Sequence, residues 1–369
     1  MPQQDKTVRK KAFLIFIFLL GFLASQLRGS DSERKRLAYV SNLMSHSVSV
    51  IDLDSMKWLR DYSFGRYPIF SSLHPRDPAK MILALHNYER REEEDRLLLI
   101  DLKTGDIVKQ ATFPGAGLPS GFVYDKKRDR IYIADEELHK VFVLDGWTLE
   151  SLYAYPAGLI PVHVDISPDC RWLAVTNRKS ANLYVYDLDN IQRHAKDSIF
   201  TVQLGASPGL IWDADEAADT ASSHPIDVKF GRDANLCYVT DFGTRELLFV
   251  NLQKREISDR VSFERAPFDM ALDRRKERAY VCQVGGDKIS VVDLAQKKVI
   301  AEVSGIAAGP IHCELDEQNG RLIAACWGNG QEGGIVIIDL KTCQILKKLV
   351  PPGAKASIGI TLSAQEKGI

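Results

Sequence analysis

Seven equivalent positions in this sequence carry the side chains with the most chemical potential. In most of its repeating units a proline opens a short alternating apolar run: Pro68, Pro119, Pro161, Pro225, Pro267 and Pro310, with Ser357 in the seventh place. Two residues further on stand Phe70, Gly121, His163, Asp227, Asp269, His312 and Gly359. Four successive units thus offer His, Asp, Asp and His. Imidazole and carboxylate together suit a divalent transition metal such as Zn²⁺, Fe²⁺, Mn²⁺ or Cu²⁺. A histidine beside a carboxylate is equally a general acid–base pair. The same four residues also have a plain structural reading, as solvated side chains that hold neighbouring strands together through water.

The elements that position them follow from the period. Apolar, β-prone runs such as VSVI, LLLI and VFVL end at Asp52, Asp101, Asp145, Asp187, Asn251, Asp293 and Asp339. The steps are roughly 42–50 residues, the length of a four-stranded blade, with one longer step between Asp187 and Asn251. A matching run precedes each, for example Tyr39-Val40-Ser41-Asn42 and Tyr238-Val239-Thr240-Asp241. One blade cannot bury both faces of its sheet, so the repeats must stack around an axis and close. The expected fold is all-β: a seven-bladed β-propeller of four-stranded blades over residues 36–369. The C-terminal strand Ser357–Leu362 completes the N-terminal blade, which hides both open edges. The first strand of each unit lies nearest the axis, so the seven positions line a central channel. The strand-ending Asp/Asn residues belong to structure, because a carboxylate or amide there accepts local backbone N–H groups.

The pairing of Tyr39-Val40-Ser41-Asn42 with Ser49-Val50-Ile51-Asp52, repeated along nearly all of residues 36–369, resembles the YVTN-type β-propeller repeat proteins. The resemblance implies the propeller fold. Related propellers include ligand-binding, surface-layer and oxidoreductase-associated proteins, some accompanying quinone or haem d1 enzymes. The family supplies no catalytic residue to transfer. The second unit departs from the motif, as do the positions of Cys282 and Cys326.

Six cysteines stand at 170, 237, 282, 313, 326 and 343, with no C-x-x-C pair. Zinc ribbons and thioredoxin-like chemistry have no foothold, and without C-x-x-C-H neither has covalent c-type haem. Cys282 and Cys326 occupy equivalent positions in neighbouring units, where stacked sheets lie ~10 Å apart, too far for a disulfide. They read as buried free thiols. Two insertions lengthen the units. Tyr88 to Arg96 is a mixed charge run, and Gly205 to His224 carries Asp213, Asp215, Glu216 and Asp219 beside Trp212. The second reads as a solvated loop or a flap over the channel; it lacks the Gly turn of a calcium loop.

Basic residues Lys6 to Lys11 precede an uncharged apolar run, Ala12 to Ser25. This is the layout of a secretory signal in residues 1–25, followed by a charged linker at 26–35. The run is shorter than the ~20 residues a spanning helix prefers. It is either cleaved near Leu23-Ala24-Ser25 or kept as an anchor in residues 12–25, which would be the only membrane contact. The expected location is periplasmic or extracellular. With 48 Lys+Arg against 49 Asp+Glu, net −1, the chain lacks the basic surplus that nucleic-acid binding requires.

No G-x-S-x-G, H-E-x-x-H or P-loop motif is present. The first functional expectation is therefore an exported module that binds a small ligand or a protein partner, with a polar site in its channel. A periplasmic redox or cofactor-handling component is the alternative. A lactonase-like hydrolase ranks third, since none of the seven channel positions is Arg.

Overall fold

The computed structural model describes residues 36–86, 95–112, 119–191, 198–207, 222–306, 309–328 and 333–363. The signal and linker segments lie outside the described residues, as do most of the 88–96 charge run and positions 208–221 of the long insertion, including its acidic cluster. Among the described residues, no helix is long and apolar enough to cross a membrane.

Strand after strand follows the alternation of the repeats, and the strands assemble as seven four-stranded antiparallel sheets. Blade 1 takes its innermost strand, Ser357–Leu362, from the far end of the chain; Leu37–Asn42, Ser47–Asp52 and Lys57–Ser63 follow outward. The innermost strands of blades 2 to 7 are Tyr67–His74, Pro119–Asp125, Pro161–Ile166, Pro225–Phe230, Pro267–Asp273 and Pro310–Asp316. Each contacts the next, and the contact of Pro310–Asp316 with Ser357–Leu362 closes the ring. In blade 1 the register Ala38↔Leu362, Tyr39↔Thr361 and Val40↔Ile360 supplies the expected closure.

Burial falls off outward, and the composition follows it. The second strand of blade 5, Leu236–Asp241, is almost wholly buried, whereas the outermost strand of blade 6, Lys298–Val303, alternates exposed and half-buried. Apolar side chains such as Val239, Val250 and Phe230 fill the space between sheets, where removal of their apolar area from water drives stacking. At the end of each third strand, Asp52, Asp101, Asp145, Asp187, Asn251, Asp293 and Asp339 accept backbone N–H groups two or three residues on. They fix the outer hairpins, as their position in the sequence predicts.

One irregularity recurs at the hub. The ladder between the first and second strands shifts register just after the opening proline, between Pro161/Val164, Pro225/Val228, Pro267/Met270 and Pro310/His312. Blades 2 and 3 repeat it after Pro68 and Pro119. Proline has no N–H to give the ladder, and a bulge bends the strand and re-aims the side chains at that point. The position two residues beyond the proline falls on or beside this irregularity.

Candidate functional site: the polar arc of the channel

The bulges turn His163, Asp227, Asp269 and His312 toward one another across neighbouring blades, but as two pairs. His163 Nδ1 lies 2.8 Å from Asp227 Oδ1, and His312 Nδ1 lies 3.1 Å from Asp269 Oδ2. The four do not pool their donor atoms. Among the described residues, the one set of three His, Cys, Asp or Glu donor atoms within 4.8 Å of one another is Asp269, Cys282 and Cys313. Of the uses open to these residues, the geometry favours two separate imidazole–carboxylate contacts over one shared four-residue metal centre.

The aspartates have a second task. An innermost strand turns one edge to the channel, where its N–H groups find no ladder partner. Asp227 Oδ2 accepts the Met270 N–H at 3.1 Å, and Asp269 Oδ2 accepts the Cys313 N–H at 3.0 Å. Each carboxylate therefore clips the innermost strand of the following blade. Second-strand threonines support them. Thr240 Oγ1 accepts the Asp227 N–H and donates to Phe268 O, while Thr176 Oγ1 accepts the His163 N–H and donates to Ile226 O. These hydrogen bonds give the polar arc a structural role, since each ties an innermost strand to the neighbouring blade.

Phe70 faces this arc. Its ring packs edge-on to His163 at 5.9 Å, although the two belong to blades 2 and 4. They meet because blade 3 places Gly121 between them; a Cβ there would stand 2.7 Å from His163 Cδ2.

A second layer lies two residues deeper and was not singled out in the sequence. Asp165, Lys229 and Glu314 each stand four residues after their proline, on the same strand face as the first layer. Lys229 Nζ is 3.4 Å from Asp227 Oδ1, and Glu314 Oε1 is 3.8 Å from His312 Nε2. Asp165 Oδ2 accepts the Phe230 N–H at 2.7 Å and faces Arg274 at 3.9 Å. The signal was available, since a strand repeats its facing every second residue.

These contacts set the charges. Burial alone would raise the Asp227 carboxyl, but the Lys229 ammonium and the His163 ring outweigh it and hold the acid well below its ordinary range. Lys229 is likewise desolvated, yet Asp227, then Asp269, Asp165 and Glu314 keep its ammonium above the usual value. For His312 burial opposes the charge, while Asp269 and Glu314 prevail and push it up to about 9. Burial dominates at Asp165 and Glu314, whose carboxyls are raised. The channel wall thus carries two positive groups, Lys229 and His312, and the negative Asp227. Across it lie an aromatic face and two glycines. Such a surface can grip a ligand that presents polar groups on one side and an apolar face on the other.

No known protein family matches the chain, and no curated protein matches it. Solved structures do. A functionally unknown protein from Desulfotomaculum acetoxidans superimposes with a TM-score of 0.68 at 10% identity, covering 88% of this chain and 98% of its own. The dihydro-heme d1 dehydrogenase NirN, solved in complex with DHE, gives a TM-score of 0.59 at 15% identity, covering 88% of this chain and 74% of its own. At such identities the likeness is one of fold. Lineage aside, the chain is a seven-bladed β-propeller with a charged half-channel.

Proposed function

We propose that this protein is an exported binding module of the YVTN-like propeller type, which holds a small polar ligand in its channel between the His163/Asp227/Lys229 wall and the Phe70 ring. The observation that carries the reading is the asymmetry of the hub: polar side chains from blades 4 to 7 stand opposite Phe70 and two glycine positions. Export rests on the basic-then-apolar order of residues 6–25. Thermal unfolding of the full chain against amino acids, short dicarboxylates and quinols tests the binding. A ligand present at about 100 times its Kd stabilises by about 2.7 kcal/mol, a shift of several degrees. We expect that shift for one of these classes, and its loss in Phe70→Ala and His163→Gln variants that still melt cooperatively. No shift with any class, or one retained in both variants, would overturn the site. Cell fractionation with N-terminal sequencing tests export.

A redox or cofactor-handling role is the second reading, supported by the haem d1 dehydrogenase among the similar folds. It expects a visible spectrum from the purified chain, or on titration with haem, that is altered in His163→Ala and His312→Ala.

A further inference from the structure

Behind the channel wall, at the seam of blades 6 and 7, three separate strands bring metal-binding atoms together. Asp269 comes from the innermost strand of blade 6, Cys282 from the second strand of that blade, Arg278–Gln283, and Cys313 from the innermost strand of blade 7. One carboxylate oxygen and the two sulfurs lie within 4.8 Å of one another. All three residues are buried, Cys282 at 0% exposure, Cys313 at 2% and Asp269 at 5%.

We propose that Asp269, Cys282 and Cys313 bind a thiophilic divalent cation of the zinc class. Zinc sits ~2.3 Å from sulfur and ~2.0–2.2 Å from oxygen, so its tetrahedral donors stand about 3.5–3.8 Å apart. The three atoms need only small rotations to reach that spread. Two sulfurs with one oxygen select a soft or borderline ion over Mg²⁺ or Ca²⁺. The surroundings hold the ligands in place. The Cys313 amide donates to Asp269 Oδ2 and His312 Nδ1 braces the same carboxylate; the Cys313 thiol, which donates to Tyr280 O at 3.4 Å, gives up that bond when it binds. Carboxylates that bind a metal are themselves hydrogen-bonded by such outer groups. Asp269 lies on the strand that borders the channel, which gives an ion its way in. Three protein ligands leave a fourth position open, the arrangement of an exchangeable or reactive ion rather than a closed structural one. On binding, the ion replaces the two thiol protons, which leave to solvent. The site stands apart from the channel ligand proposed above, because both sulfurs lie in the apolar packing between blades 6 and 7.

Cadmium titration of the reduced full chain, with zinc as competitor, tests the proposal. One Cd²⁺ per chain should bind with sulfur-to-cadmium charge-transfer absorption in the ultraviolet, and zinc should bleach it. Cys282→Ser, Cys313→Ser and Asp269→Asn should each lose stoichiometric binding, while Cys326→Ser keeps it. His312→Gln should weaken it by about 10- to 100-fold, the scale of a lost outer support. Alanine at 282 and 313 serves where serine prevents cooperative melting. Absence of the band in the unaltered chain, its survival in the Cys282/Cys313 double variant, or a Cys282–Cys313 disulfide found by peptide mapping would overturn the site. None of these readouts depends on Phe70 or His163.

Discussion

The seams between blades 4 to 7 and those flanking blades 1 and 3 close by opposite means. In the first group, side chains reach across: Asp227 to Met270 N–H, Asp269 to Cys313 N–H, Thr176 to Ile226 O. In the second, the ring positions are glycines, although Ser71 Oγ still meets Thr361 Oγ1 at 2.7 Å one step along the strand. A Cβ on Gly359 would stand 2.5 Å from Ile69 O, and one on Gly121 would stand 2.9 Å from Val162 O. At the ring positions, one half of the hub is tied by side-chain hydrogen bonds and the other by close backbone approach. The lesson is that a ring position can be chosen for holding the wheel together or for what it shows to the channel, and Asp227 and Asp269 do both.

The largest effect should come from removing the shared strand. Truncation after Pro352 deletes Ser357–Leu362, leaves Leu37–Asn42 as an open edge, and should abolish cooperative unfolding seen by calorimetry. A native-like melt would show that the charged half suffices alone. Next, Asp227→Ala strands Lys229, His163 and the Met270 N–H together, and breaking a buried pair in this way costs ~3–5 kcal/mol. Urea unfolding measures it. The same pair makes the charged half pH-sensitive. Asp227 has a depressed folded pKa, so its stabilisation is full above the unfolded value of ~3.9 and is lost as pH falls through the lower folded value. Lys229 has a raised folded pKa, so its contribution is full below ~10.4 and is lost as pH climbs through the higher folded value. Asp227→Asn should remove most of the acid-side loss; an unchanged profile would assign that loss elsewhere.

Gly359→Ala should cost ~1–3 kcal/mol by overpacking, with no change in the pH profile. A pH-dependent penalty there would erase the distinction between the halves. The smallest effect is Thr240→Val, which removes one acceptor and one donor at the seam of blades 5 and 6. Denaturant midpoints should report ~1–3 kcal/mol, at the low end if water enters.

The wheel was legible because each blade repeats one apolar rhythm and one Asx turn, and a count from six prolines and Ser357 finds the equivalent position on each innermost strand. Partners were harder to read. Sequence places His163 and Asp227 in equivalent slots, but whether an imidazole meets a carboxylate or a metal depends on the distance between adjacent blades. Lys229 and Glu314 were passed over because the count stopped after one position, although the next residue of like facing follows by the period of a strand. The thiols show the same limit. Matching like with like compares Cys282 with Cys326, whereas the second strand of blade 6 packs on the first strand of blade 7, so Cys313 is the sulfur it meets.

The register shift beside each opening proline has an evolutionary consequence. Because the chain slips its ladder there, the side chain that follows can differ from blade to blade while the strand behind it keeps its pairing. Phenylalanine, glycine, histidine and aspartate already occupy that slot on near-identical frames. The sockets least bound to the seams, Phe70, His163 and His312, are where the hub can vary while the rim keeps its shape.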